Sequence, residues 1–138
     1  MLFPIKVKYK KVQKNKTFGI DSNVYNPRLG FYGIKSIILG RITSRQIECI
    51  RKIVLRKIQQ LKCIGKIVLR IFPFLPITSK PAETRMGKGK GSFSYWCFPV
   101  KSGRLLVEFQ GVSYSKAIDI HKLVNSKLSF RTKLVRSI

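Results

Sequence analysis

This chain is organised around the stretch Lys80-Pro81-Ala82-Glu83-Thr84-Arg85-Met86-Gly87-Lys88-Gly89-Lys90-Gly91. Three glycines alternate with two lysines at its end, so the side chains there cannot build a hydrophobic core. Glycine permits backbone conformations that other residues avoid and lets another molecule approach closely. Lysine adds a charge on a flexible stem. These properties predict a loop that a polyanion would contact, and the alternative interpretation is a disordered linker.

The flanking residues favour a presented loop over a linker. Arg70–Pro73 has strand character, Pro76–Pro81 is a rigid entry rich in proline, and Ser94–Cys97 is an aromatic strand. We therefore predict an extended loop over residues 78–92. The glycine spacing excludes a Walker phosphate loop, and Ser92 stands where a dinucleotide fingerprint would have its third glycine.

These same residues resemble large-subunit ribosomal protein sixteen of bacteria and organelles. The resemblance starts from Arg-Ile-Phe-Pro at 70–73, the proline- and glycine-rich motif at 76–91 and Tyr95-Trp96. It covers nearly the whole chain, while residues 17–30 match poorly. The chain departs from the family pattern at Phe74, where an aspartate is usual, and at Cys97-Phe98, which replace small apolar residues. Further matches lie at Met1-Leu2, Pro4, 8–11, 32–35, 40–48, Glu108-Phe109, Gly111-Val112, Lys127-Leu128 and Thr132-Lys133.

The resemblance implies an α+β fold of the hammerhead type, with two main helices on a mixed or antiparallel sheet. It implies a protein packed on large-subunit ribosomal RNA near the aminoacyl-tRNA site, beside neighbouring ribosomal proteins. Such a protein holds RNA, helps to position tRNA and catalyses no reaction. In this family the loop tip points toward the peptidyl-transferase centre and the incoming tRNA. The matching tip residues here are Arg85, Met86, Gly87, Lys88, Gly89, Lys90 and Gly91.

Length and composition predict one folded domain. The 138 residues suit a single modest core, and a hydrophobic content of 44% argues against wholesale disorder. We expect a basic arm over residues 1–17 and a single domain over residues 18–138. The arm lacks enough apolar surface to offset its ordering entropy, so it is either a solvated tail or a segment laid along RNA phosphates.

Charge is the outlying property of this chain. It has 29 Lys and Arg residues against 5 Asp and Glu residues, a formal net charge of +24. Self-repulsion of this size opposes compactness unless a polyanion neutralises it. Nucleic acid is the leading candidate, and an anionic membrane surface is the second. No apolar run reaches the roughly 18 to 20 residues of a spanning helix, so no membrane partner is expected.

Hydrophobic periodicity predicts two helices. Thr43–Leu61 carries Ile47, Ile50, Val54 and Ile58 at helical spacing, and Thr43 with Gln46 fits a capping box. Ser115–Lys127 is the second helix. The predicted strands are 34–39, ended by Gly40, 66–72 and 130–135, together with a hairpin of 93–100 and 104–110 around residues 101–103. Residues 18–33 are predicted to be loop and turns.

Thirteen cations are predicted to bind RNA. They lie on the arm, on faces opposite the apolar stripes and at the entry to the loop, where a solvated face is the alternative interpretation. Folded RNA that is recognised by shape and backbone fits a basic surface of this kind. The predicted residues are Lys6, Lys8, Lys10, Lys11, Lys14, Lys16, Arg41, Arg45, Lys52, Arg56, Lys80, Arg131 and Lys133.

Catalytic and metal chemistry are not indicated. Cys49, Cys63 and Cys97 have no ligand spacing, and the single histidine, His121, has no nearby catalytic partner. We therefore expect no catalytic residue, no metal, no cofactor and no small-molecule substrate, with His121 structural and Trp96 in the core. Two alternatives stay open: a non-ribosomal basic module, such as an RNA chaperone or membrane-surface binder, and an enzyme that uses the glycine loop for a nucleotide.

Composition also suggests a compartment. Isoleucine is abundant, lysine outnumbers arginine, and alanine occurs only at Ala82 and Ala117. This bias suits an A+T-rich genome. The plastid pattern of the resembling family tends to carry serine at the position of Lys88. These features favour the mitochondrial matrix over a bacterial cytoplasm or a plastid.

Overall fold

The computed structural model of the protein describes residues 2–14, 16–21 and 26–137. Residues 1, 15, 22–25 and 138, which the arm, turn and domain predictions include, lie outside this part. Within the described residues the fold is α+β with two helices, as predicted. The strands form two antiparallel sheets instead of the single sheet that was expected. The elements are β1 Tyr32–Ser36, β2 Gly40–Thr43, α1 Ser44–Gln60, β3 Ile67–Leu69, β4 Leu75–Ser79, β5 Ser92–Val100, β6 Leu105–Phe109, α2 Tyr114–Asn125 and β7 Thr132–Arg136.

The four-stranded sheet forms the centre of the molecule in the order β3-β6-β1-β7. All five residues of β6 are buried, so this strand is covered on both faces. The two helices contact each other, and they contact β3 and β7 of this sheet. The fully buried core residues include Ile34, Ile47, Ile50, Val54, Leu106, Phe109, Ala117 and Val124.

The three-stranded sheet, in the order β2-β5-β4, carries the glycine loop. β4 and β5 are antiparallel, and their pairing runs from Leu75 with Cys97 to Ser79 with Ser92. The loop therefore leaves the end of a two-stranded ribbon, with residues 80–91 between the strands. This position presents the loop away from the helical core.

Helix α1 begins as the sequence predicts. The Thr43 hydroxyl accepts a hydrogen bond from the Gln46 backbone N–H at 3.2 Å, and the Gln46 side chain accepts one from the Thr43 N–H at 2.9 Å. A cap of this kind stabilises a helix by about 1 kcal/mol. Ile47, Ile50 and Val54 are completely buried, which confirms the predicted apolar stripe.

The predicted hairpin of residues 93–100 and 104–110 is wrong. β5 pairs with β2 and β4, whereas β6 pairs with β1 and β3. Residues 101–103 do turn the chain, and Gly103 has φ +83°, but the turn moves the chain from one sheet to the other. A short glycine-containing turn between two strands does not specify whether the strands pair.

Two strand boundaries also differ from the predictions. Gly40 begins β2 instead of ending a strand, and β1 covers Tyr32–Ser36 instead of residues 34–39. Ile37, Ile38 and Leu39 are apolar but exposed, so composition suggested strand where the chain bends. β4 was not predicted, because Pro76 suggested a loop; Pro76 pairs with Trp96 on an edge strand, where proline is tolerated.

Candidate nucleic-acid interface

All thirteen cations predicted to bind RNA are exposed. The N-terminal arm carries six of them, β2 carries Arg41, and helix α1 carries Arg45, Lys52 and Arg56. An exposed cation meets the first requirement for neutralising a phosphate, because it has not been desolvated in the fold. The exposed positions of these cations therefore fit the predicted role.

The three α1 cations lie together on the outer face of the helix. Arg45, Lys52 and Arg56 follow at intervals of seven and four residues, so they lie above one another on the side away from the core. They line a shallow depression of about 350 Å³ with Cys49 and Ile53. Glu48 lies 3.8 Å from Lys52 through an exposed (i, i+4) contact, which is too weak to remove the positive character of this face.

The loop tip has an unusual backbone. Residues 81–90 are all exposed, and Gly87, Lys88 and Gly89 have φ values of +89°, +54° and +77°. Glycine adopts this left-handed region freely, whereas lysine does so at a cost of roughly 1–2 kcal/mol. The Lys80 ammonium donates a hydrogen bond to the Gly87 carbonyl oxygen at 2.6 Å. This contact folds the tip back toward the entry of the loop.

The arm and the loop, predicted separately, are in contact. The Lys90 ammonium donates to the Val12 carbonyl oxygen at 2.5 Å, and the Lys11 ammonium donates to the Lys90 carbonyl oxygen at 3.3 Å. Lys14 is also close enough to influence the Cys97 thiol electrostatically. The arm near Lys11 and Val12 and the loop near Lys90 therefore form one basic surface.

Two of the predicted residues lie elsewhere. Arg131 precedes β7, and Lys133 lies within it, at the edge of the four-stranded sheet. Arg131 lines a separate depression of about 390 Å³ beside Leu128 and Phe130. Both residues therefore belong to the four-stranded sheet and not to the sheet that carries the loop.

A groove between the helices holds lysines that the prediction omitted. Lys57 of α1 and Lys116 and Lys122 of α2 line an open groove of about 370 Å³ together with Asp119. No local sequence pattern predicted this groove, because only the packing of α1 against α2 brings these residues together. The cationic surface is thus more extensive than the predicted set.

Glu108 is the acidic residue whose role the sequence prediction missed. Its side chain is completely buried, and Oε2 accepts hydrogen bonds from the backbone N–H groups of Arg28, Leu29 and Gly30 at 3.1, 2.7 and 2.9 Å. Arg70 Nε lies 2.9 Å from Oε1 without hydrogen-bond alignment, so this contact is an ion pair. A buried carboxylate needs hydrogen-bond or charge partners. The position of Glu108 within an apolar strand was therefore the sequence feature that could have predicted this role.

Three residues that were considered as functional candidates pack against other parts of the fold. Trp96 is only 8% exposed and lies 5.0 Å from Phe93 between ring centroids, which confirms its core position. His121 Nε2 lies 3.1 Å from the Thr132 hydroxyl. The Cys97 thiol is buried, and desolvation raises its pKa in spite of the nearby Arg41 and Lys14 charges.

The described residues also bear on the metal and membrane predictions. They contain no group of three or more His, Cys, Asp or Glu side chains suited to a metal ion. Neither described helix has the length and apolar character needed to cross a bilayer. All three cysteines are free thiols.

Comparison with known proteins identifies the family. The family model described as ribosomal protein L16p/L10e matches residues 4–135. The chain belongs to the ribosomal protein L16p/L10e family. Members of this family are structural proteins of the ribosome and not enzymes, which agrees with the resemblance seen in the sequence.

Individual L16p/L10e relatives match over almost their full lengths. The large ribosomal subunit protein uL16m of Prototheca wickerhamii is 42% identical over 98% of this chain and 98% of its own. The uL16 protein of Psychrobacter arcticus is 42% identical over 99% and 97%, and that of Mesorhizobium japonicum is 41% identical over 100% and 98%. The similarity therefore includes the arm, both sheets and the loop.

Proposed function

We propose that this structural protein of the large ribosomal subunit binds ribosomal RNA through its exposed cations and helps to position aminoacyl-tRNA near the peptidyl-transferase centre. The observation that carries the proposal is the single basic surface formed by the arm and the glycine loop. The proposed partners are large-subunit ribosomal RNA, tRNA in the aminoacyl site and neighbouring ribosomal proteins. No membrane and no small-molecule substrate belongs to this function.

The proposed mechanism is electrostatic docking followed by positioning. The arm over residues 1–17 and the outer face of α1 neutralise phosphates and release counterions. The core over residues 18–138 stays folded and carries the loop over residues 78–92. Its tip, from Arg85 to Gly91, then lies against RNA and tRNA, where glycines permit close approach and Arg85 offers a fork for phosphate oxygens.

The proposed location is the mitochondrial matrix. The A+T-type composition supports it, as does the similarity to a mitochondrial relative. Bacterial relatives are about equally similar, so the location needs its own measurement. Cell fractionation should recover the protein with mitochondrial ribosomes, and recovery with bacterial or plastid ribosomes would reject this location.

Salt-dependent RNA binding tests the electrostatic part of the proposal. The logarithm of affinity for structured RNA should fall against the logarithm of salt concentration with a slope of roughly −0.7 to −0.9 per phosphate contact. A slope near zero would refute electrostatic docking. Lack of mononucleotide binding by calorimetry would dismiss the alternative of a nucleotide-using enzyme.

Co-sedimentation tests the ribosomal part of the proposal. In a high-salt gradient the protein should stay with large subunits, because an integrated ribosomal protein makes many simultaneous contacts. A free RNA chaperone or a membrane-surface binder should wash off under the same conditions. Recovery of the protein only in the light fractions would therefore overturn the proposal.

A further inference from the structure

A half-open pocket with an aromatic wall lies beside the turn that joins the two sheets. Phe74 and Phe98, two residues at which the chain departs from the resembling family pattern, meet there with ring centroids 5.7 Å apart and planes at 83°. The pocket has a volume of about 390 Å³, and Lys101 and Arg104 also line it. Phe74 keeps 53% of its surface exposed, so part of its ring is available to a ligand.

The Arg104 guanidinium makes contacts on several sides of this pocket. Its Nη1 donates to the Asp21 carboxylate at 3.0 Å, and its Nη2 donates to the Arg70 carbonyl oxygen at 3.3 Å. The guanidinium carbon lies 5.8 Å from the centroid of the Phe98 ring, within the range of a cation–π contact. Asp21, the acidic residue lining the pocket, is engaged by this arginine, which leaves the exposed Lys101 to contribute positive charge.

We propose that this pocket receives one unstacked nucleobase of single-stranded RNA, with Phe74 as the stacking surface and Lys101 contacting the adjoining phosphate. Aromatic rings beside cations are the combination that proteins use for bases splayed out of RNA loops. A buried protein side chain would gain little from a lysine rim, whereas a nucleotide uses both the ring and the charge. The inference rests on the proposed function, to which it adds a specific contact.

The test compares two RNA probes that carry the same number of phosphates. One is a single-stranded oligoadenylate of about six nucleotides, within the site sizes of single-strand binders; the other is its abasic counterpart. The full-length protein should bind the oligoadenylate roughly five- to tenfold more tightly than the abasic strand, as expected for one exposed stacking contact. Equal affinity for the two strands would overturn the inference.

Variants of Phe74 assign the preference to this pocket. Phe74→Leu keeps an apolar side chain but removes the ring, so the preference should fall below about twofold while affinity for the abasic strand is unchanged. Phe74→Tyr keeps the ring and should keep the preference. Phe72→Leu is the matched control, because Phe72 is 47% exposed but lines the depression beside β3 instead. A base preference that survives in Phe74→Leu would overturn the inference.

A Lys101 variant and a free mononucleotide provide two further tests. Lys101→Gln should weaken the binding of both strands by the same factor, because the lysine contacts phosphate and not base. Adenosine monophosphate should not compete at concentrations comparable to the oligomer. Competition by the mononucleotide would mean that the pocket takes free nucleotides, which contradicts the inference.

Large subunits separate failure of the inference from failure of the proposed function. Wild-type protein that sediments with large subunits but shows no base preference would reject the pocket and keep the ribosomal role. If Phe74→Leu then lowered occupancy, the pocket would hold a side chain of a neighbouring protein. Base preference in a protein that never sediments with large subunits would reject the ribosomal role and keep the pocket.

Discussion

The ammonium of Lys90 donates a hydrogen bond to the carbonyl oxygen of Val12, which joins the glycine loop to the N-terminal arm across 78 residues of sequence. Lys11 donates in return to the Lys90 carbonyl oxygen. Lys11 and Lys90 carry like charges, but each ammonium donates to a backbone carbonyl oxygen of the other segment. The arm and the loop consequently restrict each other's positions before any RNA binds.

The first prediction concerns this contact between arm and loop. Lys90→Met and Lys11→Met each remove one exposed hydrogen bond from a charged donor, which is worth about 0.5–1 kcal/mol. Cleavage of the arm by a protease in limited proteolysis should therefore accelerate roughly two- to fivefold. Lys10→Met is the matched control, because it removes the same charge from the same exposed segment. Equal acceleration by all three variants would show that charge, and not the contact, controls the arm.

The second prediction concerns the buried carboxylate. Glu108→Gln removes the negative charge that pairs with Arg70. The three backbone N–H groups of residues 28–30 would then face either the amide NH₂, which cannot accept, or the amide oxygen, which is a weaker acceptor than a carboxylate. Because Arg70 is partly exposed, we expect a loss of about 2–4 kcal/mol in the free energy of unfolding.

Urea unfolding measures this loss directly. Glu48→Gln is the control, because the Glu48 carboxylate pairs with Lys52 at the surface and its removal should cost under about 0.5 kcal/mol. A similar small loss in Glu108→Gln would mean that the loop at residues 28–30 is not anchored by this residue.

The third prediction distinguishes glycines within the loop. A Cβ at Gly91 would overlap the Ser79 carbonyl oxygen, whereas a Cβ at Gly87 or Gly89 meets nothing within 4 Å. Gly91→Ala should therefore open the end of the β4–β5 ribbon and speed amide exchange at Ser79. Gly87→Ala should only strain the tip conformation, by about 1–2 kcal/mol, and leave exchange at Ser79 unchanged. Faster exchange in Gly87→Ala would show that tip and ribbon are not separable.

The fourth prediction separates assembly from translation. Gly87→Ala with Gly89→Ala, or Arg85→Ala alone, alters the exposed tip and should leave occupancy in purified large subunits normal while slowing aminoacyl-tRNA accommodation. Reversal of Lys8, Lys10 and Lys11 to glutamate should lower occupancy itself, because it places negative charge along the docking arm. Loop variants that are incorporated normally and translate at the wild-type rate would reject the tip as the functional part.

The fifth prediction follows from the buried thiol. Because burial raises the Cys97 pKa above its ordinary value of 9.0, Cys97 should react with iodoacetamide more slowly than the partly exposed Cys49 and Cys63. Above about pH 9 the unfolded chain releases this proton before the native chain does, so stability should fall as pH rises through that range. Cys97→Ala should remove this part of the pH dependence, and an unchanged profile would contradict the assignment.

The sequence predicted the helices more accurately than the strand pairing. The α1 stripe and its Thr43–Gln46 cap depend on residues close in sequence, so local spacing was sufficient. The partners of β5 and β6 depend on contacts between distant segments, and a short turn between them suggested a hairpin that does not form.

In the candidate interface, too, features set by local sequence were predicted and features set by long-range contacts were not. Exposure of the thirteen cations followed from their positions on the arm, opposite apolar stripes or at the loop entry, and the loop followed from its glycines. The contact of Lys90 with Val12, the groove between α1 and α2 and the anchoring of residues 28–30 by Glu108 are tertiary. Single-residue patterns carry no information on such contacts, because they arise from which surfaces the fold brings together.

Thr43 belongs to two elements at once, since it pairs with Cys97 of β5 and its hydroxyl caps α1. The start of the helix and the ribbon that carries the loop are therefore joined at this residue. From Cys97 to Gly91 the ribbon reaches roughly 20 Å, so a tilt of about 5° at Thr43 would displace the base of the loop by roughly 2 Å. A small change in the orientation of α1 at Thr43 would therefore produce a larger displacement of the glycine loop, because the ribbon acts as a lever arm between them.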